Sequence, residues 1–175
     1  MADSNITKRA LSSAFKELLE SKPFSKISVG DICEKCEMNR KSFYYHFKDK
    51  YDLVNWIYYT EFVTVVRQKD YPAFCELVTD LCRFFYDNRA FYHKILSVSG
   101  QNSFTEYFRD LLVTIMNNYR EDSVPSDAAF SFCAEFYGDA MVCAIKRWLS
   151  QKNCMPPEEF SSLLEHCLRP VFPSA

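Results

Sequence analysis

The chain has 175 residues and a formal net charge of −2, with 21 Lys and Arg set against 23 Asp and Glu. That length fits one or two domains with a sizeable core, and three scattered glycines, Gly30, Gly100 and Gly138, exclude the clustered glycine of a phosphate-cradling loop or dinucleotide fingerprint. On bulk charge alone, nucleic acid is not the obvious partner.

Scarce Gly, scattered Pro and long apolar-periodic runs predict helices rather than hairpins. Thr7 is placed to cap a helix from about Lys8 to Ser21, on which Ala10, Leu11, Ala14, Phe15, Leu18 and Leu19 share a face. Lys22-Pro23-Phe24 breaks it. Ser28 suits the N-cap of a short helix to about Cys36; after Glu37-Met38, Asn39 suits the cap of another, Arg40 to Phe47. Asp49 can cap a long fourth helix from Lys50 to about Lys69. Past Asp70-Tyr71-Pro72, the residues Phe74, Leu77, Val78, Leu81, Phe84 and Phe85 recur at helical spacing up to Asn88. A shorter helix covers about Ala90 to Val98, Ser99-Gly100-Gln101-Asn102 reads as a loop, and Ser103 caps a helix carrying Phe104, Phe108, Leu111, Leu112, Ile115 and Met116. After Glu121 to Ser126 a helix runs from Asp127 to Ser150; Pro156-Pro157 opens a last one, Glu158 to Leu168, and Pro170 and Pro173 close the chain. No segment alternates with period two. The expected fold is all-α, with about nine helices.

Eight cysteines invite a disulfide reading, but no charged n-region and apolar h-region mark a secretory signal. The most apolar run, Ala128 to Leu149, carries Glu135, Asp139, Lys146 and Arg147, so no membrane span is expected. The thiols are therefore expected to be reduced, in the cytoplasm, as small apolar residues of a helical core. Cys33-x-x-Cys36 has the spacing of half a zinc site, yet no second pair follows, and no spacing compels Cys154, His166 and Cys167 together. No metal, cofactor or enzymatic activity is expected. A thiol-based redox sensor remains an alternative, because reactivity depends on local pKa and exposure.

The charge is unevenly spread. Residues 1–53 hold ten basic and eight acidic side chains, and the remainder eleven and fifteen. Two short helices joined by a tight turn, laid over a first helix, make a helix-turn-helix, whose second helix enters the major groove with its N-terminal residues toward base edges. Arg40, Lys41 and Ser42 occupy that first turn. Asn39, at the cap, suits a phosphate or an adenine edge. Phe43 and Phe47, four apart, point inward as anchors; Tyr44, Tyr45 and His46 offer donors around the remaining face, and Lys48 and Lys50 sit past the helix end within reach of backbone phosphate.

The string Ile27-Ser28-Val29-x-Asp31-Ile32, followed by Asn39-Arg40-Lys41-Ser42-Phe43-Tyr44-Tyr45-His46-Phe47-Lys48-Asp49-Lys50-x-x-Leu53, resembles the N-terminal domain of TetR-type (AcrR-type) transcriptional regulators over about residues 7–53. One departure is Glu37, where that family usually has Gly in the inter-helical turn; Glu in a left-handed conformation costs about 1 kcal/mol, so the turn is a place for local difference. The resemblance implies mostly phosphate contacts from Ser28, Tyr44, Tyr45, His46 and Lys50, and base reading by Arg40, Lys41 and Ser42. It also implies a C-terminal ligand domain and a two-fold dimer built by the last two helices. A looser likeness, carried by Gly100-Gln101-Asn102-x-Phe104, Tyr107-Phe108 and Gly138 ahead of Trp148-Leu149, is to the branch that includes regulators of dihydroxyacetone kinase operons.

The organisation expected is thus a DNA-binding domain over 1–53 and a ligand-sensing, dimerising domain over 54–175. The Asp127 to Ser150 helix is apolar on nearly every side, which calls for cover on more than one face. Phe130, Tyr137, Met141, Ile145 and Trp148, with Phe160, Leu163 and Leu164 of the last helix, are the expected dimer contact. Phe85, Tyr86, Phe91, Tyr92, Phe104, Tyr107, Phe108 and Phe136 are candidates to line a pocket for an unknown small-molecule effector. The function expected is a homodimeric, ligand-responsive regulator on a pseudo-palindromic double-stranded operator. The alternative is a co-regulator of the same fold acting through a protein partner, for which Glu37 and the acidic C-terminal part argue.

Overall fold

The structure is a computed structural model that describes residues 2–98, 100, 102–119 and 126–169. Ser99, Gln101, the 121–125 connection, Pro170 and Pro173 lie outside the described residues. Among those described there are nine helices and no strand. They are α1 (Ala2–Ser21), α2 (Val29–Lys35), α3 (Arg40–His46), α4, α5 (Phe74–Asp87), α6 (Arg89–Leu96), α7 (Phe104–Asn118), α8 (Asp127–Ser150) and α9 (Pro157–Leu168). α4 starts as Lys50–Tyr58, passes through a π-helical turn at Tyr59–Val63 and ends as Thr64–Val66. It crosses the expected 53/54 domain boundary unbroken.

Two helix ends differ from the sequence reading. α1 already runs from Ala2, so Thr7 lies inside it rather than at its cap. α4 stops at Val66 rather than Lys69, and its regular winding is lost where two threonines bond back into the helix. Thr60 Oγ1 donates to the Trp56 carbonyl at 2.8 Å and Thr64 Oγ1 to the Thr60 carbonyl at 2.6 Å. Such back-bonding bends helices, and the wider turn it accompanies carries the buried Phe62 and Val63.

One continuous core runs from Leu11 and Phe15 of α1, through Phe43 and Phe47, to Ile145 of α8 and Leu168 of α9. α5 packs along α9, and α7 along α8. The head, α1 to α3 with the start of α4, is tied to the body by polar and aromatic links as well as by that core. Lys94 of α6 donates to the Leu19 and Glu20 carbonyls (2.7 and 3.0 Å), completing the C-terminal end of α1 with a positive charge where the helix dipole favours one. Lys16 pairs with Glu61 at 2.5 Å, and Phe15 meets Phe91 edge-on at 6.1 Å. At the far end, Arg89 donates to the Leu149 carbonyl at 3.1 Å, and the Trp148 indole N–H donates to the Met155 carbonyl at 2.9 Å while its ring stacks on Phe160 at 4.2 Å.

α8 is long and apolar enough to cross a membrane by length and composition alone, a test that a core helix also passes, and its Phe130, Ala134, Met141 and Ile145 are buried within the protein.

Candidate nucleic-acid interface

Short helices form only where their ends are satisfied, because a seven-residue helix has few internal hydrogen bonds. α2 opens on a capping box: the Asp31 N–H donates to Ser28 Oγ at 3.1 Å, and the Asp31 carboxylate accepts both the Ser28 N–H (2.8 Å) and the Ser28 hydroxyl. Those bonds, with Lys22 at 3.0 Å, hold the Asp31 carboxyl well below the usual carboxylate range. α2 closes on a left-handed residue, Glu37, at φ 55°. The Met38 N–H reaches the Cys33 carbonyl at 2.8 Å and the Glu37 N–H the Glu34 carbonyl at 3.2 Å, the pattern that usually recruits glycine. The turn therefore keeps its geometry despite the departure at Glu37.

α3 opens on Asn39, whose Oδ1 accepts the Ser42 N–H at 2.8 Å and the Ser42 hydroxyl at 3.1 Å. Phe43 and Phe47 are buried, 5.7 Å apart, with the Lys8 ammonium 5.6 Å from the Phe47 ring. α4 opens on Asp49, which accepts from the Tyr51 and Asp52 N–H groups at 2.8 and 2.9 Å. With the inner face so fixed, α3 presents Arg40, Lys41, Tyr44 and Tyr45 outward, the two tyrosines 57% and 83% exposed, and Lys48 stands exposed past its end. His46 is half-buried, its ring edge-on to Tyr45 at 4.9 Å.

Four of the expected contact residues are occupied in building the unit. The Ser28 hydroxyl proton is committed to Asp31 and that of Ser42 to Asn39, while Asn39 uses its carbonyl oxygen in the cap. Lys50 is turned inward: its ammonium donates to the Phe24 and Ile27 carbonyls at 2.7 and 2.8 Å and lies 4.3 Å from the Phe24 ring. Burial lowers its pKa, and the Asp31 charge partly opposes that. Sequence spacing places Lys50 near the helix end but carries no sign of two carbonyls waiting for it from the 24–27 segment.

Among the described residues most of the effector candidates pack on one another rather than around an open cavity. Phe85, Tyr92, Phe104 and Phe108 are buried and packed ring to ring around Tyr58, with centroids 5.1 to 6.0 Å from it. Tyr107 lies half-buried at 6.4 Å. The gap beside Phe104, bounded by Tyr51, Val54 and Ile95, has no room for a water molecule. The Tyr92 hydroxyl is buried without a hydrogen-bond partner among the described residues, and burial and the charge of Glu61 push its pKa up. Of the other three candidates, Tyr86 and Phe136 lie apart, and Phe91 meets Tyr92 edge-on at 4.9 Å. Tyr86 is on the surface and stacked on Trp148, and Phe136 is 58% exposed. Phe91 borders an open groove of about 490 Å³ with Lys16, Glu20 and Lys94.

The dimer candidates divide by helical phase. Phe130, Met141, Ile145, Trp148 and Leu164 are buried inside the chain, Tyr137 and Phe160 are half-buried, and only Leu163 is exposed. The outward stripe of α8 is instead Phe132, Phe136, Ala140 and Cys143. Phe132 is 70% exposed and stacks on Phe136 at 6.4 Å. On a helix apolar all round, spacing alone does not say which face the protein itself covers. For that reason Phe132 escapes a reading by spacing, and Phe136 falls among the pocket candidates instead of on the outer stripe.

Among the described residues no group of three or more His, Cys, Asp or Glu is placed to hold a metal. Cys33, Cys36, Cys75, Cys82 and Cys154 have thiol pKa values raised by burial, Cys82 to about 12. That works against a reactive thiolate at these five positions.

A capped short helix with a basic and aromatic outer face, set on a helical body, is the architecture of a helix-turn-helix regulator. Known proteins share it in sequence. Residues 6–57 match the bacterial regulatory proteins of the tetR family, and residues 75–169 match a transcriptional regulator C-terminal region. The HTH-type dhaKLM operon transcriptional activator DhaS of Lactococcus lactis subsp. lactis is 30% identical over 152 residues, 84% of this chain and 81% of that protein. A solved dihydroxyacetone kinase operon activator DhaS aligns at TM-score 0.69 and 23% identity over 97% of both chains. A TetR transcriptional regulator from Streptococcus agalactiae aligns at 0.72 and 23% over 95% of this chain and 96% of its own. The chain belongs to the TetR family of transcriptional regulators, and that family implies DNA binding by the helix-turn-helix unit.

Proposed function

We propose that this regulator works as a homodimer, binds a pseudo-palindromic double-stranded operator through the head (residues 1–53), and answers a small-molecule effector through the body (54–175). The observation that carries the DNA reading is the two-sidedness of α3: Phe43 and Phe47 anchor one side, while Arg40, Lys41, Tyr44 and Tyr45 stand outward with Lys48 just beyond. Arg40 and Lys41 are the base readers, and Tyr44, Tyr45, His46 and Lys48 hold phosphates. Ser28, Asn39, Ser42 and Lys50 position that surface. The exposed Phe132–Phe136 stripe with Leu163 supports pairing of α8 and α9 with a second copy, since stacked, exposed aromatics on an apolar helix need cover. A two-fold dimer sets two recognition helices on half-sites about 10 bp or a multiple apart. An effector acts by favouring one arrangement of the aromatic body, where the unpartnered Tyr92 hydroxyl is a polar group a ligand can satisfy.

The test is selection from a random duplex pool, followed by anisotropy titration and sedimentation of the same protein. The full chain enriches a palindrome and sediments as a dimer. The R40A/K41A variant loses at least about tenfold in specific affinity while staying dimeric and folded, and F132E/F136E becomes monomeric. Enrichment of no palindrome would overturn the operator reading in favour of a co-regulator that works through a protein partner. The likeness to DhaS makes the promoter of a dihydroxyacetone kinase operon the first natural duplex to try.

A further inference from the structure

Arg40, the first residue of α3, is exposed on that outward face, but its side chain runs sideways toward α2. Its guanidinium lies back across α2, directly over Gly30: a Cβ on Gly30 would stand 2.6 Å from Arg40 Nη2 and 3.3 Å from both Cζ and Nε. The guanidinium thus fills the volume that a side chain at position 30 would take. Nothing else in the structure asks for glycine there. Gly30 is not at positive φ, and inside a helix glycine is among the weakest formers, so neither conformation nor propensity accounts for it. Among the described residues, and leaving aside the neighbouring backbone of α2 itself, the three atoms nearest that Cβ position all belong to the Arg40 guanidinium.

What the seat does to Arg40 is visible around it. It borders a shallow groove of about 430 Å³ between α2 and α3, lined also by Ser28, Met38 and Asn39. Among the described residues no hydrogen bond or ion pair holds the guanidinium. The nearby carboxylate of Asp31 is taken up by Ser28 and Lys22. All five N–H donors of an exposed, always-charged fork are therefore offered from the α2 side of the recognition surface. A planar fork aimed in this way suits the O6 and N7 acceptors of guanine in the major groove.

We infer that Gly30 is a specificity-determining position: it seats Arg40 across α2, and the seat sets which base pair of each half-site Arg40 reads. Gly30 is a positioning residue that acts through Arg40. The inference rests on the operator-binding reading above. Because the atom that crowds position 30 is the far end of a flexible side chain, Ala at that position displaces Arg40 and leaves the fold intact.

The experiment is selection from a random duplex pool, with affinities for the enriched site, on full-length wild type, G30A, R40A and the G30A/R40A double variant. Wild type should enrich a palindrome with guanine at one position of each half-site. R40A should lose preference at that position by about fivefold or more. G30A should change the preference at the same position and no other, melt at or above the wild-type temperature, and add nothing to the loss in the double variant. A G30A protein that selects the wild-type site with affinity within about twofold overturns the inference while operator binding stands. So does a G30A loss that multiplies with the R40A loss, or falls at another position, or a G30A protein that melts well below wild type. A wild-type protein that enriches no palindrome overturns both readings.

Discussion

The head and the body of this protein are held together by different physics. In the head, α2 and α3 have seven residues each, and their existence depends on named polar contacts at their ends: the Ser28–Asp31 box, the Asn39 cap on Ser42, and the inward Lys50 ammonium on two carbonyls. In the body, α4 to α7 are held by a cluster in which Tyr58 touches seven other rings. A polar contact has a direction and fixes where an exposed face points, so the part that must meet DNA in one orientation is built from such contacts. Apolar burial has no direction, so the helices of the body are held by how their rings pack rather than by single oriented contacts.

The largest expected effect lies in the aromatic cluster. Phe85 is fully buried and packs on Tyr58, Tyr92 and Phe108 at 5.9, 5.0 and 5.1 Å. Phe85→Ala should cost about 3–5 kcal/mol in urea unfolding monitored by tryptophan fluorescence; a loss under about 1 kcal/mol would mean the cluster collapses freely and is not what holds the body. The polar side is tested by Lys50→Met, which keeps the apolar stem and removes the charge. Two charge-assisted hydrogen bonds and a contact with the Phe24 ring disappear, leaving the Phe24 and Ile27 carbonyls without that partner. The expected loss is about 2 kcal/mol. If the variant instead keeps wild-type stability and loses only salt-dependent DNA affinity, Lys50 is a phosphate contact and its inward pose is dispensable.

The same division governs how much of each part is legible in the amino-acid sequence. The caps at Ser28, Asn39 and Asp49 are legible because a cap is a local event: the residue and its partner lie two or three positions apart. Phe43 and Phe47 are legible for the same reason, by spacing along one helix. Lys50 reads as a phosphate contact because its true partners lie 26 and 23 residues away, and nothing local distinguishes a lysine bound for a carbonyl from one bound for a phosphate. The body is legible as a set of helices but not as faces. α8 shows apolar residues in every direction, so Phe130 and Phe132 look equivalent in sequence, yet one is buried within the chain and the other is 70% exposed. The buried rings Phe85, Tyr92, Phe104 and Phe108 read equally well as pocket lining or as core; only their ring-to-ring contacts place them in the core.

At Glu37 the head accepts a cost that its polar contacts offset. The residue sits at φ 55°, and both hydrogen bonds of the turn, Met38 to Cys33 and Glu37 to Glu34, are made. In that region a Cβ is crowded by the backbone, a strain that glycine avoids. Glu37→Gly should therefore raise stability by about 1 kcal/mol, seen as a modest rise in Tm, although glycine elsewhere in a helical protein destabilises. Because the turn already has the geometry that glycine favours, the orientation of α3 should not move, and the same duplex should be selected with unchanged base preference. Removing one negative charge beside a DNA-facing helix should also strengthen binding slightly, with the gain fading as salt is raised. A shift in the selected sequence would show instead that Glu37 bends the turn and sets the angle at which α3 meets the groove.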